Sequence, residues 1–210
     1  MNGAELFVQE LQKQGVTHVA TLCGHGLNPF DKACQEAGLR LIDVRNEQAA
    51  GYIADATGRL TRRVGVCAVS SGVAHANAMT GVVNAYFDGA PMLLVTGSGS
   101  TETMGLGHFQ DLDQVALAAP VCKYARLVDR AERIPQLIHE AFAAALAGRP
   151  GPVHLTLPLD VQLAEAHPDR AFRVIAPPGR DTLAAQGDPE RIVAVAGLLA
   201  RSERPLLIAG

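Results

Sequence analysis

The sequence predicts an α/β protein, with a mainly parallel sheet covered by helices on both faces in three α/β/α layers. Three observations carry this. Short apolar runs alternate with segments of helical period about six times along the first 160 or so residues. The runs are nearly continuous in Val, Leu, Ile and Ala rather than alternating with polar residues, the mark of strands buried on both faces. Gly, Ser, Asn and Asp gather where the runs stop, which supplies the turns.

Taken in order, Leu6, Phe7 and Leu11 have helical spacing, and Gly15 stops that helix. Val16–Leu22 is a first strand, followed by the Gly-rich turn Cys23-Gly24-His25-Gly26. Asn28-Pro29 opens a helix to about Ala37. Leu39–Val44 is a second strand, and a small-residue helix follows from Glu47 to about Thr61. Val64–Val69 is a third strand, turned by Ser70-Ser71-Gly72 into a helix through Asn77 and Tyr86. Met92–Thr96 is a fourth strand. Gly97–Gly107 is too rich in Gly, Ser and Thr for a regular element. Gln110–Ala118 reads as a short helix, Val121–Leu127 as a strand, Glu132–Ala147 as an amphipathic helix and Val153–Leu157 as the last strand.

The character changes after Asp160. Glu165–Gly187 is rich in Pro, Ala and charge and reads as a linker. Asp188 then caps a helix, Arg191–Ala200, and Leu206–Gly210 reads as a strand. One helix and one strand cannot bury a core. The expected organisation is therefore a domain over residues 1–165, a linker over 166–187, and the start of a second α/β domain over 188–210, cut from a longer polypeptide.

Bulk properties exclude several classes. Among 210 residues the formal charge is −3, scattered without blocks, so neither nucleic acid nor a membrane surface is an expected partner. The N-terminus has no basic segment leading into an apolar one, and no apolar stretch spans a bilayer; a cytoplasmic protein is expected. Cys23, Cys34, Cys67 and Cys122 are widely spaced, without the pairing of a zinc site or a disulfide framework. Cys67 and Cys122 lie in apolar runs and read as core.

The candidate site lies at the strand ends. An open α/β sheet binds ligands outside the carboxyl ends of its strands, where the strand order reverses. Four such ends carry polar groups: Gly24-His25, Glu47, Ser71-Gly72-Val73, and the segment from Gly97 leading to Phe109-Gln110. Asn77, about a turn and a half into its helix, is able to reach the same place. Each has a plain structural reading beside the functional one. Asn46 with Glu47 is ordinary helix-start chemistry, and Asn77 is a possible surface amide. The turn at Ser70-Ser71 lacks the first Gly of a G-x-S-x-G elbow, and Gly24-His25-Gly26 is not a G-x-G-x-x-G fingerprint. The turn after the third strand is suited to offering backbone N–H groups to a ligand. No His/Cys spacing marks a metal site.

Longer motifs narrow the choice. R-N-E-Q-A-A-G-Y-x-A-D-A-x-G-R, then G-V-C-A-V-S-S-G-x-x-x-x-N-A-x-x-G-V-x-N-A-Y-x-D-x-x-P-M-L-L-V-T-G, F-Q-D-x-D-Q, P-V-x-K-Y and R-P-G-P-V-H-L-T-L-P-L-D-V-Q occur in this order. Over about Glu5–Gln162 the chain resembles the N-terminal pyrimidine-binding (PYR) domain of thiamine-diphosphate-dependent enzymes of the acetolactate synthase, pyruvate oxidase and benzaldehyde lyase group. The tail from Asp188 is similar to the start of that family's central domain.

The resemblance implies an enzyme that makes or breaks C–C bonds beside a carbonyl, in 2-keto acids or 2-hydroxyketones. It implies that Glu47 is the carboxyl that hydrogen-bonds the aminopyrimidine of thiamine diphosphate and so activates the cofactor. Gln110 matches a glutamine that reaches the active centre, while Ser71, Gly72, Val73 and Asn77 match the segment around the pyrimidine. Gly24 and His25 fall in the loop where relatives carry cofactor- or substrate-facing groups. Mg²⁺ and the diphosphate are held in the family by a G-D-G…N motif of a C-terminal domain, absent from this sequence. FAD in a central domain is possible, and assembly as a homodimer or homotetramer is implied.

The sequence departs from the family at two turns. Ser71-Gly72-Val73-Ala74 stands where S-G-P-G is usual, with His75 where a small residue is common, and Leu22-Cys23-Gly24-His25-Gly26 replaces the usual F-G-x-P-G after the first strand. Asp113-Gln114-Val115-Ala116 with Ala118-Ala119-Pro120 is closer to benzaldehyde-lyase-like members. A non-catalytic assembly or regulatory homologue, and an unrelated α/β hydrolase using Ser70 or Ser71, remain alternatives.

Overall fold

The computed structural model describes residues 1–167 and 187–208, which belong to two separate bodies. The first holds a six-stranded sheet, all parallel, in the order β2-β1-β3-β4-β6-β5. The strands are β1 (His18–Leu22), β2 (Arg40–Asp43), β3 (Gly65–Val69), β4 (Met92–Ser98), β5 (Ala125–Leu127) and β6 (Pro152–Pro158). From β1 the chain steps outward to β2, then returns to place β3 on the other side of β1. That reversal between β1 and β3 is the topological switch point.

Each strand sends alternate residues to opposite faces. On one face Val66 and Ala68 of β3, Leu93 and Val95 of β4, and Val153, Leu155 and Leu157 of β6 meet α1 (Gly3–Lys13), α2 (Asn28–Glu36) and α6 (Ile134–Leu146). Phe7 and Phe30 cross edge to face at 5.8 Å in this large core. On the other face Cys67, Val69, Met92 and Leu94 meet α3 (Glu47–Thr61) and α4 (Val73–Asp88). That core is built from small side chains, among them Ala50, Ala54, Ala74 and Ala78.

Small residues there let two helix backbones touch. A Cβ on Gly81 of α4 would lie 2.4 Å from the Gly51 carbonyl carbon of α3, so neither position accepts a side chain without displacing the other helix. A polar seam locks the same pair further along. Asn84 Nδ2 donates to the buried Asp55 at 2.8 Å, and Arg59 pairs with Asp88 at 2.8 Å. Caps fix the helix starts. Asn2 and Glu5 form a reciprocal capping box on α1, and Asn46 Oδ1 accepts the Gln48 N–H at 2.8 Å on α3.

Several elements differ from expectation. The helix expected from Gln110 begins only at Gln114, as α5 (Gln114–Ala118), because Gln110 adopts a left-handed backbone with φ 59°. The strand expected over Val121–Leu127 is confined to Ala125–Leu127, since Ala119–Val121 forms a 3₁₀ turn around Pro120. The helix expected from Glu132 starts at Ile134 after a 3₁₀ turn, with Pro135 in its first turn. A short helix not expected, α7 (Leu159–Leu163), follows β6 and buries Val161 and Gln162.

In the second body α8 (Pro189–Arg201) forms as expected, with Asp188 capping Glu190 and Arg191. Leu206–Ile208 make no strand pairing among the described residues, because a strand needs a neighbour to hydrogen-bond. Apolar residues of α8 such as Val193 and Leu198 are exposed. Most of the expected linker lies outside the described residues. Among them, no helix is long and apolar enough to cross a membrane.

Candidate functional site

At the switch-point edge the structure brings the expected residues together in two linked clusters. The first joins α3 to α4. Glu47, half-buried as the first residue of α3, accepts a 3.0 Å hydrogen bond at Oε2 from Asn77 Nδ2. Among the described residues Oε1 takes no hydrogen bond, so one carboxylate oxygen stays available. The Asn46 cap and the first-turn carboxylate are both present, so Glu47 has the plain helix-start role as well as a partner across the helix seam. Its charge reaches the sheet. Burial pushes the Cys67 thiol on β3 above the ordinary range, and Glu47 adds to that shift.

The second cluster ties three loops. The His25 carbonyl accepts from Ser70 Oγ at 2.8 Å and from the Ser71 N–H at 3.4 Å. The exposed His25 ring packs edge to face on Phe109 at 5.5 Å. Ser71 Oγ donates to Gln110 Oε1 at 2.8 Å. Gly72 has φ +59°, and a Cβ there would meet Gln110 O at 3.0 Å, so the turn accepts only glycine. Gly24 lies against the Ser70 side chain. Asn77 follows Gly72 by five residues on α4, about 7–8 Å of helix rise, and so connects the clusters. Val73 is 66% exposed and faces away from these contacts.

Two of the turn's N–H groups point into the protein rather than outward. The Ser71 N–H is engaged by His25, and the Gly72 N–H donates to Gln114 Oε1 at 3.0 Å. Ser70 and Ser71 both donate their hydroxyls to oxygens, and no imidazole bonds to either among the described residues. A serine nucleophile with a histidine base is therefore not assembled.

Two buried glutamines do work that residue patterns did not reveal. Gln114 ties Gly72 to the end of β4 by also donating to Gly97 O at 3.0 Å. Gln162 of α7 donates to Gly26 O at 2.6 Å and Leu157 O at 2.9 Å, and accepts the Phe30 N–H at 3.2 Å. Both sit in short helices whose apolar spacing is too brief to show which side faces in.

His75 and His154 form a second buried group below the site. Their rings meet at 4.8 Å, His154 shares a hydrogen bond with Thr96 at 2.9 Å, and both His75 ring nitrogens lack partners. Burial lowers His75 to about 4 and takes His154 well below the ordinary range, so both are neutral near pH 7. No group of three or more His, Cys, Asp or Glu able to hold a metal occurs among the described residues. A cavity of about 620 Å³ lies between the 104–113 segment and the ends of β5 and β6; none of the expected site residues lines it.

A parallel sheet with a paired carboxylate and a bank of backbone-locked turns at its switch point defines a ligand-binding α/β domain. Residues 1–117 match the family described as thiamine pyrophosphate enzyme, N-terminal TPP binding domain, and the chain belongs to that family. It is similar to a probable acetolactate synthase large subunit of Methanocaldococcus jannaschii, 36% identical over 213 aligned residues that cover 100% of this chain and 36% of that protein. It is 41% identical to 2-hydroxyacyl-CoA lyase 2 of Bos taurus over 160 residues, 76% of this chain and 25% of the relative. With the acetolactate synthase isozyme 3 large subunit of Escherichia coli strain K12 it shares 40% identity over 162 residues, 77% of this chain and 28% of the relative. The chain thus spans between a quarter and about a third of the length of these curated relatives.

Proposed function

We propose that residues 1–167 supply the cofactor-activating half of a thiamine-diphosphate active site that makes or breaks a C–C bond beside a carbonyl. The observation that carries this is the Glu47–Asn77 pair, a carboxylate with one oxygen held and the other open. When bound, thiamine diphosphate supplies a carbon acid that becomes a nucleophile and then stores an electron pair next to the former carbonyl. The chain's own residues do the rest. Glu47 hydrogen-bonds a pyrimidine ring nitrogen through Oε1 and holds or shares a proton there. Asn77 orients the carboxylate by holding Oε2. Gln110, Ser71 and His25 line the approach for the substrate, and the locked turns keep that wall from rearranging.

The residues fit the pyrimidine end of the cofactor, because a half-buried carboxylate on a helix start meets what that ring needs. Among the described residues no group of side chains suits Mg²⁺, and the diphosphate, Mg²⁺ and any FAD are assigned to another domain. Exposed Val73 and Phe109 beside the site, with Tyr86 and Phe87 further along α4, favour a second copy of the chain covering this edge in a homodimer or homotetramer. The substrates proposed are 2-keto acids or 2-hydroxyketones. The relatives named for acetolactate synthesis and for 2-hydroxyacyl-CoA cleavage both point to such carbonyl chemistry, and the Gln114-Val115-Ala116 pattern favours the lyase side.

The test is Glu47→Gln in the full-length enzyme. Proton exchange at the cofactor's C2 and turnover should both fall by at least about a hundredfold, the lower range for loss of a general acid–base group. Near-normal exchange would refute the role. Incubation with pyruvate alone, and with a 2-hydroxyacyl thioester, separates the two substrate classes by product.

A further inference from the structure

We propose that Gln114 is a positioning residue of this site, acting on Gln110 through the Ser71-Gly72 turn. The proposal deepens the cofactor half-site reading and rests on it for its functional consequence. Gln114 is 3% exposed, and its amide is used at both ends. Oε1 accepts the Gly72 N–H at 3.0 Å, and Nε2 donates to Gly97 O at 3.0 Å. The partners fix which way the amide points, since a flipped group would set N–H against N–H and oxygen against oxygen. One side chain thus joins the exit of β3 to the exit of β4.

What it holds is soft by itself. Gly72 has no side chain to cap α4 and sits at φ +59°, ψ −108°, where glycine rotates at little steric cost. Beyond it the chain of contacts is short. Ser71 Oγ donates to Gln110 Oε1 at 2.8 Å, and the Gln110 backbone lies against Gly72 closely enough to exclude a Cβ. Rotation of the Gly72 peptide would move Ser71, and with it the group that orients the Gln110 side chain. Both ends of the Gln114 amide are taken by backbone groups, so it sets geometry without touching a reacting atom.

The experiment uses the full-length enzyme and begins with the unaltered protein. Without added cofactor, the Gly72 amide should exchange with solvent slowly, because its acceptor lies inside the chain; exchange at the rate of a free turn amide overturns the proposal. In Gln114→Met, which removes both hydrogen bonds of the amide, Gly72 exchange should accelerate and kcat should fall by at least about tenfold each. KM should stay within about twofold, since the approach to the site is unchanged. Gln114→Glu, whose buried carboxyl stays protonated and so keeps an acceptor facing Gly72 and a donor facing Gly97, should retain the protection, which decides the matter if the Met variant does not fold. An unchanged kcat in a folded Met variant overturns the positioning role. If Glu47→Gln leaves C2 exchange intact, the cofactor reading fails, while Gly72 protection still stands or falls alone.

Discussion

Asn77 Nδ2 donates to Glu47 Oε2 at 3.0 Å, across the seam where α3 and α4 touch backbone to backbone. The amide leaves the carboxylate one oriented oxygen and one open one. Asn77→Ala removes the donor and should cut C2 proton exchange by roughly tenfold, the size of a lost charge-assisted hydrogen bond. Asn77→Asp sets a second carboxylate at that distance, and like charges there repel. Its loss should exceed that of the alanine variant. Exchange monitored by NMR on the loaded enzyme orders the three proteins.

The seam itself is the next test. Gly81→Ala places a methyl group 2.4 Å from the Gly51 carbonyl carbon, which only a shift of one helix relieves. Overpacking of this kind costs about 1–3 kcal/mol. Because the shift separates Glu47 from Asn77, C2 exchange should drop in protein that remains folded. Denaturant unfolding measured beside exchange separates the two effects.

Gln110 sits at φ 59°, a conformation that charges a non-glycine residue roughly 1–2 kcal/mol. Gln110→Gly releases that strain and forfeits the Ser71 hydrogen bond, two opposed effects each near 1 kcal/mol. Stability should therefore change by no more than about 1 kcal/mol while turnover falls. A strained residue in a loop that buys its position with a side-chain contact is a functional signature. Equal losses in stability and turnover would count against it.

Acid response should contain two opposed contributions, one from buried imidazole and one from a buried carboxyl. Burial lowers His75 to about 4. Below its ordinary value of 6.5 the unfolded chain takes up a proton that the fold refuses, so stability falls as pH drops from about 6.5 to about 4. Asp31, buried on α2 with Thr21 as its partner, is raised from 3.8 to about 6, first by burial. There the folded form holds a proton that the unfolded form loses, so stability falls as pH rises from about 3.8 to about 6. His75→Leu should flatten the acid limb, and Asp31→Asn should stabilise the protein at neutral pH, each on the order of 1–3 kcal/mol. Thermal melts between pH 4 and 7.5 on both variants check the signs.

Much of this was legible in the residues. Continuous apolar runs such as Val66–Val69 and Leu93–Val95 could only be strands covered on both sides, and their alternation with helices fixed a parallel sheet. Glu47 and Asn77 were placed near one strand exit by spacing, while the role expected of them came from the longer motifs, because each also has an ordinary structural reading. What stayed hidden depends on direction rather than spacing. Nothing in Asp113-Gln114-Val115 says that Gln114 turns inward, since five residues of helix carry too little periodicity. The left-handed Gln110 hid the true start of α5, because glutamine is not a residue that signals such a turn. His75 stands where the family usually has a small residue, and only its burial against His154 shows it as interior packing.

Where Gly51 and Gly81 meet there is no side chain to adjust, so the gap between the two helices is a property of the main chain alone. It works as a fixed ruler on which the carboxylate and the amide are two marks. Substitutions in the neighbouring loops leave that spacing untouched. An engineer altering the site should change exposed loop positions such as Phe109 and leave that ruler uncut.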